Sequence, residues 1–90
     1  MQKIEKKIFP QYFEAILSGK KKFELRLNDF VIKEGDILLL KEWDPVTKTY
    51  TGREVEKEVG YVGGWKLEEL QVFWTKEEIE KNGLQVISLL

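Results

Sequence analysis

At Gly19 the hydrophobic period of the chain changes, and that change limits the fold to a mixture of helix and sheet. Before it, Tyr12, Phe13, Ile16 and Leu17 recur at the i, i+3, i+4 spacing of a helix with one buried face. Pro10 suits the first position of that helix, where a backbone N–H would have no intrahelical partner. Gly19 supplies the left-handed residue that ends it. After it, Phe23, Leu25 and Leu27 alternate with Lys22, Glu24 and Arg26, which is the period of a half-buried strand. Residues 3–9 read as a strand that stops at Pro10, so the chain begins strand, helix, strand.

The turn chemistry of Asn28-Asp29 and of Lys33-Glu34-Gly35-Asp36 delivers the chain into Ile37–Trp43, the most apolar stretch and the expected central strand. Asp44-Pro45 breaks it. The alternating run Arg53–Tyr61 then returns as a hairpin partner, with Val55, Val59 and Tyr61 on its inner face. Gly63-Gly64 marks a corner, and Trp65–Trp74 fits a helix, a strand or an ordered loop. Thr75–Glu78 has the form of a capping box, Asn82-Gly83 ends the short helix it opens, and Leu84–Leu90 reads as a last strand. No repeat or linker divides residues 1–90, so a single domain is expected. Five twisted strands and two short helices are better satisfied by an α/β (α+β) fold closed into a small barrel than by an open sheet with bare edges.

Composition removes several chemistries. With no cysteine and no histidine, neither disulfides nor thiolate or imidazole metal sites are available, so no metal and no cofactor is expected. Apolar runs such as Ile37–Leu40 fall far short of the ~20 residues that cross a bilayer, so no membrane partner is expected. The charged start Met1-Gln2-Lys3-Ile4-Glu5 lacks the apolar core of a signal peptide, which makes the cytoplasm the expected location. The net charge is −1, yet residues 1–26 carry seven Lys/Arg against three Glu, and the remainder carries eight against thirteen acids. A basic patch on an acidic body and a local fluctuation of a Lys/Glu-rich surface both fit this division.

The opening of the second expected strand concentrates the charge. Glu24 and Arg26, two apart, share a strand face with Lys22; Lys21 stands too near Gly19 for its direction to be set by strand parity. Either an exposed face laced with weak ion pairs or a ligand site results. The spacing Gly19-x-Lys21-x-x-Glu24-x-Arg26 matches the G-x-K-x-x-E-x-R motif of the ASCH superfamily, relatives of the PUA domains, and the chain resembles that superfamily over residues 4–62. The resemblance extends to the helix before the motif, to Gly35-Asp36 before the next strand, and to E-W-D-P at Glu42–Pro45 and T-G-R-E at Thr51–Glu54. It is similar to an uncharacterised branch found in bacteria and their phages. Gln85–Leu90 matches only loosely, and residues 63–82 not at all.

The resemblance implies a PUA-like barrel with a cleft beside the first helix, lined by Lys21, Glu24 and Arg26, that takes RNA or a nucleotide-like ligand. The side chains suit that class: an ammonium and a forked guanidinium meet phosphate or base edges, and a carboxylate accepts from an exocyclic amine or holds the guanidinium in place. One branch of the superfamily hydrolyses N4-acetylcytidine, with the motif lysine as base and a threonine nucleophile where this chain has Glu24. An amidohydrolase built here would need Glu24 to activate water with Lys21, and Glu77 or Glu78 as proton donor; the capping role already accounts for Glu78. Trp65, Phe73 and Trp74 are candidate stacking planes for bases, although large aromatics more often close the ends of small barrels, so at least two of the three are expected in the core. Lys6-Lys7 and Lys20–Lys22 flank the helix ends and are placed to grip phosphates at the cleft mouth, or serve solubility alone. A third role is that of an adaptor whose Trp65–Trp74 segment meets another protein.

Overall fold

The computed structural model describes residues 1–85 of the 90. Strand β1 (Lys3–Ile8) leads directly into helix α1 (Pro10–Leu17), and a long irregular connection reaches strand β2 (Ile37–Asp44). Strand β3 (Thr49–Glu58) follows through a short turn, and the short helices α2 (Leu67–Leu70) and α3 (Lys76–Asn82) come last. The sheet has the order β1-β2-β3, with β1 parallel to β2 and β2 antiparallel to β3. A parallel pair needs a crossover connection, and α1 supplies it.

The apolar run of β2 is explained by its central place, with a strand on either side. Leu38 and Leu40 project toward α1, whose Phe13 and Ile16 meet them together with Ile8, and Ile32, Val55 and Val59 pack around that cluster. Each such side chain removed from water contributes roughly 1.5–3 kcal/mol. Gly19 (φ 78°) adopts the left-handed conformation that ends α1, its N–H donating to the Ile16 carbonyl at 3.1 Å. Asp36 staples the entrance to β2, because its buried carboxylate accepts from the Gln2 N–H and the Lys33 N–H, both at 3.0 Å. Those two backbone donors, Gln2 first, hold its carboxyl below the usual carboxylate range.

The expected strand over residues 23–27 does not form. The segment joins no ladder, and Leu25 and Leu27 are 71% and 80% exposed. The described residues therefore hold a mixed α/β fold around a sheet of three of the five expected strands, open among them. The closing strand expected at Leu84–Leu90 falls almost wholly on residues 86–90, outside the described residues. Tyr61, expected on the inner face, is exposed, and Trp65, Phe73 and Trp74 are exposed as well, so the expectation of a barrel-end plug is corrected. Among the described residues no helix is long and apolar enough to cross a membrane, and no group of three carboxylates could hold a metal ion.

Candidate functional site

The motif side chains converge even though their strand does not form. The Lys21 N–H donates to the Ala15 carbonyl at 3.0 Å, which ties the motif to the end of α1 and turns the lysine inward before any strand parity applies. Its ammonium then donates to Glu24 Oε1 at 2.6 Å and to the Phe23 carbonyl at 2.9 Å. Arg26 Nε donates to Glu24 Oε2 at 2.9 Å, and its Nη2 donates to the Lys7 carbonyl at 2.7 Å. One carboxylate thus holds two cations, and the side chains of Lys21, Glu24 and Arg26 are only 16%, 15% and 28% exposed. The ring of Tyr12, on the first turn of α1, lies 5.7 Å from the ammonium, and that of Phe23 lies 4.9 Å away.

The Lys7 carbonyl, which Arg26 holds, lies on the open edge of the sheet. Register with β2 turns alternate β1 carbonyls toward the sheet, beginning with Gln2, whose carbonyl accepts from Ile37; Lys7 therefore faces the free edge. The Arg26 guanidinium occupies the acceptor that a fourth strand would use.

Lys22, expected on the face of Glu24 and Arg26, is exposed and lies outside the cluster. Lys21 takes its place. Trp65 folds back over Gly63, where a side chain would meet its indole at 2.7 Å, and makes no cation–ring contact with the motif. Its neighbour Gly64 does approach Asn28, just beyond Arg26. Thr75 caps α3, its hydroxyl accepting from the Glu78 N–H at 3.1 Å, so Glu78 takes part through its backbone. Glu77 is an exposed residue of the same first turn.

A second charged cluster was not singled out from the sequence. Glu42 is buried, and Arg53 grips it with two bonds, Nε to Oε1 at 3.0 Å and Nη2 to Oε2 at 2.9 Å. The Thr51 hydroxyl donates to the same carboxylate at 2.6 Å, and Glu14 of α1 joins the cluster at the Nη2 that Glu42 also holds. Arg53 also lies 4.8 Å from the Phe13 ring. Gly52 (φ 95°) sits at an irregularity of the β2–β3 register, which lets residues 51 and 53 both reach one carboxylate. Arg53 first and Thr51 second hold the Glu42 carboxyl below its ordinary range, while Glu42 and then Glu14 push the guanidinium further up. Two signals pointed here: Glu42 has the parity of Leu38 and Leu40, and a glycine within a strand marks a bulge.

These residues fall in the segments that relate the chain to others. A family model described as a domain of unknown function, DUF3850, matches residues 4–73. The chain belongs to the DUF3850 family. DUF3850 thus spans β1, α1, the motif and the whole sheet, as well as α2. An uncharacterized 12.9 kDa protein in the GpA 3′ region of Escherichia phage P2 is 43% identical over 55 residues, which cover 61% of this chain and 49% of that protein. The chain thus matches about half the length of that curated relative. No solved structure matches it.

Proposed function

We propose that this DUF3850 domain binds RNA or a nucleotide in a cleft at the edge of β1, as a member of the ASCH, PUA-like group whose motif it carries. The observation that carries the reading is the joint hold of Glu24 on Lys21 and Arg26 in a largely enclosed position. Two cations on one anion leave a net positive charge. The guanidinium is fixed at Nε and Nη2, so Nη1 remains to meet a phosphate oxygen or a base carbonyl with little ordering cost. Tyr12, half exposed beside the ammonium, offers a ring to a base. Closure of the sheet into a PUA-like barrel is part of the same proposal.

The geometry does not favour the amidohydrolase. Glu24, which would have to activate water, is engaged at both carboxylate oxygens, by Lys21 at Oε1 and by Arg26 at Oε2. The adaptor reading has one observation behind it, the exposed run that includes Trp65, Phe73 and Trp74.

Isothermal titration with nucleoside monophosphates tests the binding reading. Arg26→Ala and Lys21→Ala should each lower affinity roughly tenfold, the cost of one charged hydrogen bond, with the melting temperature retained. Unchanged affinity in both variants would refute the assignment.

A further inference from the structure

Carboxylates hold some of the cations of this protein, and ring faces alone hold others. Lys3, Lys21, Arg26, Arg53 and Lys76 each pair with a carboxylate. Lys6, Lys7 and Lys41 pair with none among the described residues, and each ammonium rests on a ring: Lys6 on Phe30 at 3.8 Å, Lys7 on Trp43 at 3.8 Å and Lys41 on Tyr50 at 5.1 Å. The distinction has chemical consequences. A carboxylate neutralises the cation it binds, whereas a ring face holds an ammonium through its quadrupole and leaves charge and N–H donors for an anion.

These three lysines line one hollow of about 380 Å³ with Glu5 and Tyr50. Pairing of Lys7 with Lys41 in the β1–β2 register, and of Trp43 with Tyr50 in the β2–β3 register, puts those four side chains on the sheet face that α1 does not cover. Tyr50 meets Trp43 edge-on, with centroids 5.0 Å apart, and is half exposed. On that face Lys7 and Lys41 present two ammonium groups beside Glu5, with Glu54 opposite Lys41; Lys6, opposite Leu40 in the register, turns its side chain to the other face. Lys7 belongs to both regions: its carbonyl anchors Arg26 in the motif cluster, and its ammonium stands over Trp43.

We propose that this hollow is a backbone-phosphate and base-stacking subsite for single-stranded RNA, continuous with the β1-edge cleft through Lys7. The inference rests on the binding reading given above and extends it from a nucleotide to a strand. Available ammonium groups beside an accessible ring are the combination that tracks a single strand, with charge for the phosphates and a plane for the bases.

The test compares fluorescently labelled oligouridylate with uridine monophosphate over a range of salt. The oligonucleotide should bind more tightly than the monophosphate. The double variant Lys7→Gln, Lys41→Gln should lose roughly tenfold per lysine for the oligonucleotide, with the slope of log affinity against log salt reduced by about 0.7 for each, and Lys41→Gln alone, which lies away from the motif cluster, should bind the monophosphate as the wild type does. Tyr50→Leu, which keeps an apolar side chain, should cost roughly fivefold or more for the oligonucleotide alone. No advantage of the oligonucleotide over the monophosphate, or an unchanged slope in the double variant, overturns this subsite and leaves the cleft standing. Failure of both ligands to bind the wild-type protein overturns cleft and subsite together, and tighter binding of oligodeoxythymidylate overturns the assignment to RNA.

Discussion

Among single residues, Glu42 carries the clearest consequence for stability. Its carboxyl is held below the usual range by Arg53 and Thr51, and that of Asp36 by backbone donors. A lowered folded-state pKa means that the stabilisation is fully present above the unfolded value of about 4 and is lost as the pH falls through the folded value. Glu42→Gln should therefore lower the melting temperature at neutral pH, on the order of 10 °C for a broken buried pair, and should approach the wild type as the medium is acidified below about pH 4. Melting curves across that range check it; parallel profiles of the two proteins down to the lowest pH would show that the charge of Glu42 is not what counts. The sequence placed this residue poorly because its partner is eleven positions away and reaches it only through the bulge at Gly52.

At the scale of the element, Gly52 and Gly60 form a natural comparison. Neither has a neighbour within 4 Å of an added Cβ, but only Gly52 has a positive φ, 95°. Gly52→Ala should cost roughly 1–2 kcal/mol from backbone strain alone, and Gly60→Ala should stay within about 0.5 kcal/mol of the wild type, as chemical denaturation will show. Punctuation of this kind was legible in advance. Pro10 and Gly19 bound α1 as their chemistry requires, Thr75 and Gly83 bound α3, and the apolar run of β2 marks the central strand. Residues 23–27 were misread because alternation reports an extended chain, not a ladder; whether a ladder forms depends on which groups claim the edge. Lys21 displaced Lys22 from the cluster for a related reason: its backbone N–H still answers to the helix, through Ala15.

Over the whole molecule, the sheet and α1 hold the core, and the chain from Tyr61 onward adds no buried apolar residue among those described. That exposure was beyond sequence reasoning, since an aromatic-rich stretch looks alike whether it is packed or presented. The Cα radius of gyration is 15.0 Å, against about 12 Å for a compact chain of this length. Small-angle scattering should return the larger value at low concentration. A value near 12 Å would mean that the segment folds back onto the sheet, and a doubled mass with rising concentration would favour the adaptor reading over the binding module.

Arg26 closes the free edge of β1 at the Lys7 carbonyl with a movable side chain, not with a strand. Loss of that guanidinium, as in Arg26→Ala, would bare a main-chain acceptor on a sheet rim, where another polypeptide can add, so the side chain that carries charge in the motif also guards the sheet from its neighbours.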